Sequence, residues 1–351
     1  MLSRPALFLL ACAAGTAAFA QHNPSPALDE GADRAARLVA NARREGSLSL
    51  YASMAEKDLI RLVSEFERRY GIKVKVWRSG KNNVLRRAVT EARAGRFDVD
   101  LVHNPAPEME LLHRERLLQE VRSPYQRELI PEAVAPHREW AGPRVYVFVQ
   151  AYNTNRVTPD ELPKTFKDLL DPRWKGKMVW NPKSMTGAWG FISTVIKGMG
   201  EERGMAYLRA LARQAIVPLP IAIRAVLDRV IAGEYAIGLE MNNTHAAISA
   251  AQGAPVKWVP LNPASETLQV AGITRGAAHP NAAKLFIDFM VSKAGQNVFR
   301  DNDYLPMHPD IPAKIPELRP EQGGYKSIIY TPDNLEVDVP RWAKIYEDLF
   351  R

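Results

Sequence analysis

Cysteine is all but absent from this chain of 351 residues: the single one, Cys12, sits in an apolar stretch near the start. Around it the sequence reads Met-Leu-Ser-Arg, an apolar run over residues 5–13, and Ala18-Phe19-Ala20 before Gln21. One positive charge, a short apolar region and an A-x-A site predict a secretory signal peptide over residues 1–20. The run is too short for a stable bilayer span. Cleavage after Ala20 leaves no cysteine, which excludes a disulfide framework, a thiol nucleophile and a thiolate metal site. The alternative takes Leu9-Leu10-Ala11-Cys12 as a lipoprotein cleavage site. A block of like charge is lacking too. The net charge is +8, or +7 once Arg4 is removed, but Lys and Arg are interspersed with Asp and Glu. That is a solvated surface with a bias towards anions, not a nucleic-acid interface. Enzyme signatures are missing: there is no G-x-S-x-G, H-E-x-x-H or phosphate-binding P-loop. Residues 198–204 approximate a dinucleotide fingerprint, but the third glycine is one residue late and no strand precedes it, so they read as a helix break. The seven histidines lie far apart in sequence, without metal-ligand spacing. No metal or other cofactor is expected.

What is present suits a globular protein with a large core: 46% of residues are hydrophobic and 25% charged. Helical periodicity over residues 32–44 leads to a strand at 48–51 and an amphipathic helix over 57–70. A strand at 72–77, a helix over 83–94 and a strand at 99–103 follow. Strand–helix–strand–helix–strand with short joints predicts a parallel α/β arrangement. Ser53, Ser79 and Asn104 each follow a strand, at the carboxyl edge where open α/β sheets bind ligands. They are equally suited to caps and turns.

A helix over 108–119 and a long apolar strand over 145–152 come next. The stretch 174–191 then reads as strand, polar loop and helix start, with Ser184, Thr186 and Gly187 at the junction. Free N–H groups and the helix dipole make such a junction suitable for an anion. An ordinary turn with Ser184 or Thr186 as N-cap is the alternative. Helices are expected over 189–213 (broken at 198–204), 221–232, 245–252 and 280–291, and near 342–350. Strands are expected at 234–239, 256–260 and 268–273.

Five motifs then occur in order: Tyr152-Asn153-Thr154, Asp171-Pro172-Arg173-Trp174-Lys175-Gly176-Lys177, Ala232-Gly233-Glu234-Tyr235, Gly253-Ala254-Pro255-Val256 and His279-Pro280-Asn281-Ala282-Ala283. As a set they resemble the periplasmic solute-binding proteins of ABC importers, in the branch that includes the ferric-ion-binding proteins. The resemblance covers nearly all of the chain after residue 20. It implies a type II fold of two α/β lobes, each a mostly parallel sheet flanked by helices, joined by two crossing strands and closing on a ligand. Residues 21–148 and 263–351 would form one lobe, with the C-terminal helices, and 149–262 the other; strand 268–273 would be the return crossing.

In the ferric-binding members, as the resemblance implies, two adjacent tyrosines that follow two asparagines hold the metal. Here the matching residues are Asn242-Asn243-Thr244-His245. Imidazole and threonine are poor ligands for a hard trivalent ion. Ser184, Thr186 and Gly187 fall where the family binds an accompanying anion, so the expectation is an anion pocket kept and an iron site lost. Arg78 and Arg224 are candidates for forking onto a carboxylate or phosphonate, or else surface ion pairs. Asn242 and His245 complete the candidate ligand set. Glu240 reads as a lobe-closing salt bridge, and Trp189 as a cleft aromatic. The expected function is capture of a small anionic solute (carboxylate, phosphonate or phosphate ester) by a monomeric receptor that delivers it to an inner-membrane ABC permease. A ferric carrier with an atypical site, and a secreted hydrolase or sensor partner on the same scaffold, are the alternatives.

Overall fold

The computed structural model describes Gly31 and residues 33–351; the leader reading lies outside the described residues. The chain begins α1 (Arg34–Glu45), β1 (Ser47–Ala52), α2 (Glu56–Tyr70), β2 (Lys73–Arg78), α3 (Lys81–Arg93), β3 (Leu101–Pro105) and α4 (Ala106–Arg114). β1 pairs in parallel with both β2 and β3, as short strand–helix joints require. α2 is held by its apolar stripe: Leu59, Leu62 and Phe66 are buried, and Phe66 meets Phe286 edge-on at 4.7 Å. Each such side chain contributes roughly 1.5–3 kcal/mol by leaving water.

β4 (Ala141–Asn153) then leaves this layer. After it come β5 (Met178–Trp180), α5 (Ala188–Met199), α6 (Glu201–Ala212), β6 (Val217–Pro218), α7 (Ile223–Ile231), β7 (Ile237–Asn242), α8 (Asn243–Ala251) and β8 (Val256–Val259). β9 (Ala264–Ile273) returns, followed by α9 (Pro280–Val291), α10 (Lys293–Asp301), β10 (Leu305–Pro306), α11 (Pro320–Gly323), β11 (Ser327–Ile329) and α12 (Pro332–Phe350). β5 is parallel to β6 and β7, repeating the α/β pattern. The strand order β2-β1-β3-β9-β4-β7-β5-β6 puts the antiparallel pair β4/β9 between the two parallel sets. These are the two crossing strands of a two-lobed α/β fold.

Several expectations are corrected. α4 stops at Arg114 rather than residue 119, because Arg116 takes a left-handed backbone (φ 57°) and Leu118 bridges to Thr274. α3 starts at Lys81, two residues before the expected helix. β7 runs on through Asn242, although Glu240 within it has φ 57°. α10 was not expected; Gly295, Gln296 and Asn297 interrupt its apolar pattern. α12 packs on α5 and α6 and also on α4 of the first strand set. Lys197 pairs with Asp338 at 2.9 Å, Arg341 pairs with Glu201, and Trp180 lies against Phe350 at 4.9 Å.

Candidate functional site

The amino ends of α2, α3, α5 and α8 follow the carboxyl ends of β1, β2, β5 and β7, so the loops between them face the seam between the two strand sets. Lys81, the first residue of α3, reaches across that seam. Its Nζ donates to Ser184 Oγ at 2.8 Å and to Thr186 Oγ1 at 3.2 Å, and pairs with Glu108 Oε1 at 2.8 Å. Asn104 Nδ2 donates to the Lys81 carbonyl at 3.0 Å and so fixes the base of this side chain. Sequence reasoning missed Lys81. The signal was present in Gly80-Lys81, a glycine cap followed by a cation at a helix start.

Lys81 also changes the reading of the Ser184 loop. Ser184 and Thr186 are buried and lie together, with Thr186 N donating to Ser184 Oγ at 3.0 Å. Ala188 N donates to Asn181 O at 2.8 Å and Trp189 N to Ser184 O at 3.2 Å. The amides of Thr186, Ala188 and Trp189 are thus engaged within the loop, and the two hydroxyls turn lone pairs to the Lys81 ammonium. Gly187 is sterically required: a Cβ there would lie 2.6 Å from Asn181 O.

The other sequence candidates divide. Asn104 is fully buried, and its Oδ1 has no hydrogen-bond partner among the described residues. Ser53 is half-buried and its N–H donates to His103 O at 3.2 Å. Ser79 Oγ accepts from Asn83 Nδ2 at 3.1 Å, a turn-forming role. Arg78 is exposed, with Nε on Met54 O at 2.9 Å. Arg224 forms an exposed ion pair with Asp228 one helical turn away, 2.9 Å apart. Neither arginine forks into the seam. Asn242 caps α8 through Oδ1, which accepts from His245 N at 3.3 Å, while its buried Nδ2 is unpartnered among the described residues. Among the described residues Glu240 forms no salt bridge, contrary to the expected lobe-closing pair. It is buried, accepts from Ser265 Oγ at 2.7 Å, and burial pushes its carboxyl up to about 8.

The crossing strands bring further polar groups to the same place. Along β4, Arg144, Tyr146 and Phe148 share one face and pair with Gln269, Thr267 and Ser265 of β9; Phe148 also pairs with Asn242. His103 pairs with Ala271 on that face of β9. Val145, Val147 and Val149 take the opposite, apolar face. Tyr146 links this surface to α8, its ring 5.7 Å from that of His245. Buried polar atoms are normally hydrogen-bonded. Yet both nitrogens of His103, all three of the Arg144 guanidinium, Gln269 Nε2, His245 Nδ1 and Trp189 Nε1 lack partners among the described residues. Burial holds both imidazoles neutral, His103 and His245 each pushed down to about 3; the Arg144 charge adds to the effect at His103, and the Arg224, Arg144 and Lys57 charges add to it at His245.

One histidine cluster does form, against expectation: His113, His137 and Glu139 lie together, the two rings stacked 3.8 Å apart. His137 Nδ1 accepts from Glu139 N at 3.0 Å, and Nε2 faces the Glu110 carboxylate at 3.1 Å. Nε2 is therefore the protonated nitrogen, and His137 has no lone pair to offer a metal.

Among the described residues no helix is long and apolar enough to cross a membrane. Residues 48–305 match the family model described as bacterial extracellular solute-binding protein. The Fe(3+)-binding periplasmic protein of Serratia marcescens is 24% identical over 269 residues, 75% of this chain and 78% of that protein. Iron-bound HitA of Pseudomonas aeruginosa superposes with a TM-score of 0.73 at 23% identity, covering 86% of this chain and 99% of that one. AfuA of Actinobacillus pleuropneumoniae, with fructose-6-phosphate bound, gives 0.74 at 22% identity, covering 87% and 99%. The two α/β strand sets, the paired crossing strands and a family match over most of the chain agree: this protein belongs to the bacterial extracellular solute-binding protein family.

Proposed function

We propose that the seam between the strand sets holds a small anionic solute, which the receptor captures outside the inner membrane and delivers to an ABC permease. The observation that carries this reading is the surplus of unpartnered donors. Arg144, Gln269, Asn242 and Trp189 offer buried N–H groups, against Asn104 Oδ1 and Glu108 Oε2 as unpartnered acceptors. A donor-rich, water-poor site selects an acceptor-rich ligand, and an anion is the most acceptor-rich class. Lys81, Ser184 and Thr186 then act as the clasp between lobes, and Asn242 and His245 approach the solute from α8. The lobes are taken as the chain up to residue 148 with 263–351, and 149–262, with α12 touching helices of both. The receptor works as a periplasmic monomer that binds rather than catalyses.

The iron carried by HitA is not the better analogue. Thr244 and His245 stand where the resemblance puts the tyrosine pair, and the Arg144 cation repels a trivalent ion. The sugar phosphate bound by AfuA is closer in charge. Calorimetry with carboxylates, phosphonates and phosphate esters tests the reading: micromolar or tighter binding of one class is expected. Heat only from ferric iron would replace it with the metal-carrier reading.

A further inference from the structure

Arg144 is a wholly buried cation with no ion-pair or hydrogen-bond partner among the described residues. Its guanidinium carbon lies 4.2 Å from the ring centre of Tyr304 and 4.6 Å from that of Tyr146. Rings stacked on the guanidinium cover its faces and leave its N–H edges, which lie in one plane. Asp58, the carboxylate beside Tyr304, accepts from Tyr304 Oη at 2.5 Å and does not bond the guanidinium. His103 and His245 bring no charge, so the N–H edge of Arg144 meets no acceptor among the described residues. A buried ion without a counter-ion is expensive, and an attractive ring face does not replace one.

We propose that Arg144 is the specificity-determining anchor of the site and receives one carboxylate of the solute along its N–H edge. This deepens the receptor reading above and rests on it. The solute is then a small organic acid that presents a single carboxylate to this pocket. A planar carboxylate accepts two parallel N–H bonds from such a fork and cancels one charge, with the Gln269 amide, Arg144's neighbour across the strands, available to its outer lone pairs. A phosphate monoester dianion brings a second negative charge to a pocket that already has Asp58 nearby, and a metal cation meets repulsion from Arg144.

Two measurements on the purified protein test this. First, thermal unfolding of the ligand-free protein is compared with Arg144→Met and Arg144→Gln. Removing an uncompensated buried charge should raise Tm by a few degrees in at least one variant. A lower Tm in both would make the guanidinium a structural ring-stacking group and overturn the proposal. Second, calorimetry covers acetate, lactate, succinate and longer or aromatic monocarboxylates alongside inorganic phosphate, fructose 6-phosphate and ferric iron. Wild type should bind a carboxylate, and Arg144→Gln should weaken that affinity by about 100-fold or more. Unchanged carboxylate affinity in Arg144→Gln, or tight binding of fructose 6-phosphate alone, overturns the carboxylate anchor while leaving the receptor reading intact. Binding of nothing in the panel by wild type counts against the receptor reading itself, and the anchor falls with it.

Discussion

Lys81 Nζ lies 2.8 Å from Ser184 Oγ, joining the start of α3 to the loop before α5 across 103 residues of sequence. With Thr186 and Glu108 the ammonium has three partners, the number it can donate to. The clasp is thus complete within the chain.

Lys81→Met should therefore act through Glu108, a buried carboxylate left with no cation. The expected loss of stability is about 2 kcal/mol, read by urea denaturation. Adding Glu108→Gln should recover much of it, because the stranded charge is then gone. A Lys81→Met protein as stable as wild type would mean that the clasp is open in solution.

Steric demand at the Ser184 loop gives a second expectation. A Cβ on Gly190 would sit 2.2 Å from Met185 O, a backbone atom with nowhere to move, whereas a Cβ on Gly80 meets nothing within 4 Å. Gly190→Ala should cost about 3 kcal/mol by forcing the loop away from α5. Gly80→Ala, just before Lys81, should stay within about 0.5 kcal/mol. Paired thermal melts check the contrast, and equal effects would contradict the packing described.

Glu240 sets a pH dependence below about pH 8. Its carboxyl titrates at about 8 in the folded chain because burial disfavours the charge. The unfolded chain releases that proton near 4.5. Between these values the native state binds more protons, so stability falls as pH rises from 4.5 to about 8, by roughly 1.4 kcal/mol per unit at most, and levels off above. Glu240→Gln should flatten the decline between pH 6 and 8.5 in denaturation series. A slope unchanged by the substitution would place the titration elsewhere.

His103 and His245 act in the opposite sense. Held neutral down to about 3, they resist protons that the unfolded chain accepts near 6.5. Stability they support is present above 6.5 and is lost as pH falls below it. His103→Gln and His245→Gln should each make the loss between pH 6.5 and 4.5 shallower. NMR titration of the ring resonances should show neither histidine protonating above pH 5.

Much of the architecture is legible in single residues. Gly71, Gly95 and Gly233 have φ near 75° and stand just past the helix ends that the sequence predicts. The α9 boundaries at Pro280 and Val291 follow from a proline start and continuous apolar periodicity. The site was harder to read. Ser184, Thr186 and Asn104 are linked through Lys81 at the seam, because loops after strands converge there, whereas Arg78 bonds the Met54 carbonyl and Arg224 pairs with Asp228 on its own helix. Arg144 carries no motif. Its importance arises only because Tyr146 lies two residues on and Tyr304 folds back across it, so that no acid reaches the guanidinium.

The order of strands and helices, the crossing segments and the family were determined by the sequence itself, because periodicity, glycine stops and short joints act over a few residues. Which polar groups are satisfied was decided by the tertiary structure alone. Lys81 and Arg144 are both single cations in the sequence. One finds Ser184, Thr186 and Glu108 across the seam, and the other finds only ring faces. Whether a buried charge meets its counter-charge depends on chain segments more than a hundred residues apart, and local pattern contains no record of that distance.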